Sequence, residues 1–359
     1  MKRHLNILSF LAFGLMILSC QDSMAPVAEN AIKPTFITEP TPHDTDDPAF
    51  WIHPTDPSKS LIIGTDKEVG GGLYVYNLEG KIVNSFDNMQ RPNNVDVAYG
   101  LDINGVKTDI AVTTERKTNT IRIFSLPDLT PIDNGGIPIF EGETVDGERD
   151  GMGVALYTKQ VDSTSSEIYA IVGRKTGPAE NYLWQYKLSG NTDGTVGAAV
   201  ARKFGRYSGI KEIEAIAVDN ELGYVYYSDE TAGIRKYYAD PAKENNEELA
   251  FFGQKDAKRD HEGIAIYKKD AETGYILVSN QQKNIFLVYK REGSENNPHT
   301  HQLIAEIPVS TVECDGADAV NVNFGPQFPQ GIFVAMSNGN VFHIYDWRIV
   351  QEWIDNNSM

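Results

Sequence analysis

Acidic and amide side chains recur in this chain in short, tight groups. They are Asp46 and Asp47; Asn93, Asn94 and Asp96; Asp150; Glu212 and Glu214; Asp260, His261 and Glu262; and Asp315 and Asp318. Brought to one place, such a set repels itself unless cations neutralise it. The donors are oxygens, with a single histidine and no cysteine among them. That argues for calcium over zinc, because calcium takes about six to eight oxygens in flexible geometry. A second series is basic in the first half of the chain, at Lys67, Arg116 and Lys117, Arg174 and Lys175. It turns acidic or neutral in the second half, at Asp229 and Glu230, Gln281, Ser337 and Asn338. An anion gripped by the basic half and bridged to the acidic half by metal ions suits a phosphorylated ligand. Any single acid here is more simply a turn cap, and any single base a solvated loop charge. The repetition is what carries the reading.

The elements that must position these groups form an internal repeat. A short aromatic-rich strand recurs six times, at residues 72–76, 120–124, 182–186, 233–237, 285–289 and 340–345. Each copy alternates and carries an aromatic near its end, as a half-buried strand does. A second strand precedes each copy, at 61–65, 109–113, 168–173, 223–228, 275–279 and 331–337. A third precedes that, at 49–53, 95–99, 152–157, 213–218, 263–267 and 317–322. A fourth is weaker, with 82–86 the clearest instance. Four short antiparallel strands per unit, in six units, predict an all-β, six-bladed β-propeller. A sandwich or two β domains would not explain six similar units. In a propeller the innermost strands run the same way about the axis, so their acidic starts converge at one mouth of the channel.

The start of the chain reads differently. Met1-Lys2-Arg3-His4 is basic, residues 5–18 are mostly apolar, and Ile17-Leu18-Ser19-Cys20 resembles a lipobox with Cys20 as the acylated residue. The expected organisation is a lipoprotein signal peptide at 1–20, a flexible tether at 21–42 and the propeller at 43–359. This implies export and a lipid anchor holding the protein at the bacterial cell envelope. Only Cys314 then remains, with no disulfide partner, and it is expected as a small buried residue. The formal charge of −18 argues against a nucleic-acid partner, and a monomer is expected.

At the charged groups the chain resembles the β-propeller phytases, the alkaline calcium-dependent family. The likeness is carried in order by Asp46-Asp47-Pro48-Ala49-Phe50-Trp51, Gly64-Thr65-Asp66-Lys67, Asn93-Asn94-Val95-Asp96, Glu214-Ala215-Ile216-Ala217, Asp260-His261-Glu262-Gly263, Ser279-Asn280-Gln281 and Asp315-Gly316-Ala317-Asp318. Residues 324–335 add to it. It covers about residues 43 to 347. The resemblance implies a 3-phytase that hydrolyses phytate to lower inositol phosphates and inorganic phosphate. It implies several calcium ions on Asp46, Asp47, Glu214, Asp260, Glu262, Gln281 and Asp315; Asn94, Asp96 and Asp229 complete the expected ligand set. Lys67, Arg116 and Lys175 are expected on the phosphoryl oxygens, with Arg174 beside them, and Glu214 and Asp315 in catalysis through a metal-activated water.

Two positions depart from some relatives: Glu68 stands where they have a second lysine, and Met152 where they have a tyrosine. Two other phosphatase chemistries have no counterpart, since neither an Arg-His-Gly-x-Arg-x-Pro stretch nor a Cys-x5-Arg loop occurs. A calcium-dependent lactonase and a non-catalytic binding propeller remain as alternatives. The three basic connections disfavour the first, and the second does not require a complete acidic ring.

Overall fold

The computed structural model describes residues 24–243, 246–257 and 259–359. Six antiparallel sheets follow one another along the chain and form the blades of a propeller. From the axis outward, blade 1 is Thr45–Trp51, Leu61–Asp66, Gly72–Tyr76 and Ile82–Phe86. Blade 2 is Pro92–Ile103, Val106–Glu115 and Thr120–Ser125, edged by the short strands Thr130–Pro131 and Ile137–Pro138. Blade 3 is Gly151–Gln160, Ser166–Arg174, Glu180–Gly190 and Val196–Arg206. Blade 4 is Ile216–Asp219, Tyr224–Asp229, Gly233–Tyr238 and Ala250–Phe252. Blade 5 is His261–Lys268, Gly274–Asn280, Ile285–Lys290 and Leu303–Pro308.

Blade 6 closes the ring. Ala317–Val320, Ile332–Ser337 and Val341–Asp346 receive their outer strand from the start of the domain, where Phe36 and Ile37 pair with Ile344 and His343. Ala31 and Ile32 are buried next to this seam, and Ile32 bridges Val309 of blade 5. The expected tether to residue 42 therefore does not match the structure beyond about residue 30. Those residues satisfy the hydrogen bonds of an edge that would otherwise stand open. The expected signal peptide and Cys20 lie outside the described residues.

Apolar clusters fill the gaps between blades, one of them running continuously from blade 5 through blade 6 to blade 1, which explains the repeated aromatic at the end of the third strand. Phe124 meets Phe86 of blade 1 edge to face at 4.8 Å, Tyr237 meets Phe204 of blade 3 at 5.6 Å, and Tyr289 meets Phe252 of blade 4 at 5.0 Å. Such pairs contribute about 1 kcal/mol each beyond the area they bury. Polar stitches cross the same gaps. Thr114 Oγ1 donates to the Met152 carbonyl (2.5 Å), Ser279 Oγ to the Cys314 carbonyl (2.9 Å), and Ser228 Oγ to the His261 carbonyl. Cys314 is buried, as expected. A closing helix, Trp347–Asn357, is capped by Asp346 and buries Trp347, Val350 and Ile354 on one face, the i, i+3, i+7 spacing of a helix stripe. Among the described residues no helix is long and apolar enough to cross a membrane.

Candidate active site

The inner strands begin irregularly, and the irregularity places the charged groups. Ladder register shifts between Thr45 and Pro48, Pro92 and Val95, Gly151 and Val154, and His261 and Ile264. A regular strand would send Asp46 and Asp47 to opposite faces. A bulge re-aims neighbouring side chains, so both remain available to the mouth and channel. In blades 4 and 6 the ladder starts only at Ile216 and Ala317, leaving Glu212, Glu214 and Asp315 on the irregular approach that precedes it. These approaches run very close together. A Cβ on Gly153 would lie 1.7 Å from the Glu214 carbonyl oxygen, and one on Gly316 would lie 2.4 Å from Asp47 Oδ1. Only glycine lets the backbones pass.

At the mouth, side chains from all six blades or their connections form one linked network. Lys67 Nζ lies 2.6 Å from Asp315 Oδ2, 3.0 Å from Asp46 Oδ1 and 3.7 Å from Asp44. Gln281 Nε2 donates to the other Asp315 oxygen at 2.6 Å. Asn93 is the hub: its amide nitrogen donates to Asp46 Oδ2 (2.8 Å) and to Glu214 Oε1, while its carbonyl accepts from Arg116 (2.6 Å). Carboxylate oxygens of Glu212, Glu214 and Glu230 all lie within 4.8 Å of one another, and Lys175 pairs with Glu212. On the far side, Lys211 Nζ reaches Glu230 (2.8 Å), Asp260 (3.0 Å) and Glu262 (4.0 Å).

Crowding shows in the ionisation of these groups. Burial pushes the Glu214 carboxyl well above its usual range, with Asp46 adding to it and Lys67 opposing. Glu262 is raised by burial and then by Glu230, Asp315 and Glu214. Burial lifts Glu230 to about 7 against the pull of Lys211. Asp260 is the exception. Burial opposes ionisation there too, but Lys211, Thr231 and Gln282 together hold it below the usual carboxylate value. Asp46 Oδ1 is buried and makes no well-aligned hydrogen bond, although Lys67 lies nearby. An all-oxygen donor set with a buried orphan oxygen and mutually raised carboxyls fits a hard divalent cation such as calcium.

Not every expected residue reaches this network. Arg174, expected on the phosphate-binding rim, is fully buried; it packs over Phe140 at 4.8 Å and Tyr182 at 5.4 Å and bonds to the Glu148 carbonyl and Glu143. A guanidinium enclosed in this way supports the blade and does not face solvent. Asp229, expected as a metal ligand, is spent inside blade 4 on Arg235 Nε (2.8 Å) and on Ser208 N and Oγ (2.9 and 2.7 Å). Its neighbour Glu230 takes the place at the mouth.

Asp96 and Asp47 line the channel, together with Asp318, around a cavity of about 460 Å³. They stitch inner strands: Asp47 accepts from Val95 N (3.2 Å), Asp96 from Leu156 N (2.7 Å) and Asp318 from Phe50 N (3.2 Å). Asn94 is buried beside the hub and accepts from Asn93 (3.0 Å). Residues outside the expected site set also belong here: Asn93, Glu212, Glu230, Gln282 and Lys211. The first three stand in the charged groups of the sequence. Lys211 carries no signal there beyond its adjacency to Glu212.

Fold and site together define a six-bladed β-propeller with a charged mouth, carboxylates of blades 1, 4, 5 and 6 and their connections facing basic side chains of blades 1 to 3. Comparisons with known proteins agree with that class and narrow it. The family model described as Phytase matches residues 6–352. The chain is 30% identical over 346 residues to the 3-phytase of Bacillus subtilis (strain 168), covering 90% of this chain and 86% of that one. This protein belongs to the phytase family. Among solved structures it is similar to the β-propeller domain of Cps50 (Swd1) from Myceliophteria thermophila, with a TM-score of 0.48, 10% identity and coverage of 84% and 83%. It is also similar to the Dos1 propeller, with a TM-score of 0.42, 12% identity and coverage of 84% and 68%.

Proposed function

We propose that this chain is a 3-phytase that removes phosphate from phytate with calcium ions held among the carboxylates of the mouth. The observation that carries the reading is the meeting, in a member of the phytase family, of the Asp46–Asp315–Glu214 carboxylates with Lys67, Arg116 and Lys175 around one opening. Asp46, Glu214, Asp315, Asp260, Glu262 and Gln281 would hold the cations, with Glu212 and Glu230 adjoining. Bound calcium supplies positive charge at the mouth and activates water for in-line attack on phosphorus.

The chain's own groups do the rest. Asn93 fixes the angle between Asp46, Glu214 and Arg116, so the acidic and basic halves keep one spacing. Lys67 and Arg116, largely enclosed, and Lys175, half-exposed, present donors to phosphoryl oxygens whose charge rises in the transition state. Glu68 lies beside Lys67 and Asp44, and the Met152 sulfur touches Arg116. Both positions touch the binding edge of the site and bear on which phosphate is held.

The anchor at Cys20 and a cell-envelope location belong to the same proposal, supported by the lipobox-like start of the chain. The test is phosphate release from phytate, alongside lactone hydrolysis, in calcium and then in chelator. Phosphate release that needs calcium supports the reading. Lactone hydrolysis without phosphate release would replace it with the lactonase, and neither activity would favour a binding propeller.

A further inference from the structure

Lys211 stands apart from the other cations of the mouth. It comes from the irregular approach to blade 4, between Arg206 and Ile216, and not from the basic connections of blades 1 to 3. Its ammonium sits 2.8 Å from Glu230, 3.0 Å from Asp260 and 4.0 Å from Glu262, which belong to blades 4 and 5. Those three side chains are 2%, 13% and 6% exposed, whereas Lys211 is 39% exposed. The carboxylates are therefore built in, while the cation reaches them from solvent along a flexible stem and can withdraw without opening the core. Asp260 is held in place independently, through Thr231 (2.9 Å) and Gln282 (2.8 Å), so its oxygens keep their positions when the lysine leaves.

We propose that Lys211 is a tethered competitor of calcium on the acidic half of the mouth. A divalent ion on the oxygens that Lys211 contacts would sit against its ammonium, and the two like charges repel. Loading the Glu230, Asp260 and Glu262 oxygens therefore requires Lys211 to swing out, and the lysine raises the calcium concentration at which that half fills. Before loading, it offsets repulsion among three closely held carboxylates. This rests on the reading that the mouth takes calcium.

The experiment measures calcium binding by titration calorimetry, and melting temperature in chelator, for the native protein, Lys211→Met, Lys211→Gln and Lys211→Arg. Removing the charge is expected to lower the half-saturating calcium concentration by about fivefold or more, the ordinary range of coupling between two ligands. The same variants should melt lower in chelator, and Lys211→Arg should stay near the native protein in both. Lys211→Gln keeps a donor to the same carboxylates and supplies the measurement if Lys211→Met fails to fold. An unchanged calcium midpoint in the uncharged variants overturns the proposal while leaving the calcium site standing. A raised KM for phytate with that midpoint unchanged overturns it in favour of a substrate contact. A native protein that binds no calcium overturns both readings together.

Discussion

Lys67 is the most heavily committed side chain of the mouth. It lies within 4 Å of three carboxylates, and those neighbours, chiefly Asp46 and Asp315, outweigh burial and drive its ammonium well above the usual lysine value. It is charged at every working pH and aimed at the gap between blades 1 and 6. Lys67→Met is expected to lower kcat/KM for phytate by about 10²- to 10³-fold, the loss typical of removing one donor to a transition-state oxyanion. A kinetic series on the purified variant measures this, and a change under threefold would remove Lys67 from the phosphate-binding set. At this scale the sequence was informative where charges clustered, as at Asp46-Asp47 and Asp260-His261-Glu262. It misled where a charge was spent locally. Arg174 looks like Lys175 in the chain, yet one is sealed under Phe140 and Tyr182 and the other faces Glu212. Nothing in their spacing separates them, because the difference depends on which way a strand end turns.

The blade edges decide how well the elements hold that geometry. Inner, second and third strands are legible in the sequence because they alternate and carry aromatics that fill the gaps between blades. Outer strands are weaker in the sequence: Ile82–Phe86, the clearest of them, is half-exposed or exposed throughout, and the closing pair Phe36–Ile37 is two residues long with no period to read. That pair nevertheless supplies the fourth strand of blade 6, with Ile32 and Ala31 buried beside it. A chain starting at residue 43 would expose the Val341–Asp346 edge and lose those apolar contacts. It is expected to melt well below a chain starting at residue 24, by on the order of 5 °C or more, since each kcal/mol in a domain this size moves the midpoint by about 2–4 °C. Calorimetry on the two chains tests this, and equal midpoints would show that closure rests on blades 1 and 6 alone.

The whole molecule couples its charge to its stability. His301 and His343 are buried away from the mouth, and burial holds each at about 4, well below the ordinary 6.5. His301 is lowered further by Lys236, while the Lys290 carbonyl opposes the shift. Both rings are neutral in native and unfolded chains above about pH 6.5, so nothing is lost there. As pH falls from about 6.5 towards 4 the unfolded chain takes up protons that the native state resists. Stability should then decline by up to about 3 kcal/mol for each ring. Denaturant titrations from pH 8 to 4.5 should show that decline, shallower in His343→Gln. An identical profile in the variant would assign the acid sensitivity elsewhere.

Six blades bring residues 44 to 315 to one opening, so the site exists only in the closed ring. In the function proposed above, the acidic mouth works by holding cations against a phosphorylated substrate. The most direct measurement is phosphate release from phytate by the native protein and by Asp315→Ala, each with calcium and with chelator, alongside circular dichroism to show both folded. Release by the native protein is expected only with calcium, with a loss of at least about 10²-fold in the variant. Release in chelator, or full activity in folded Asp315→Ala, would contradict it.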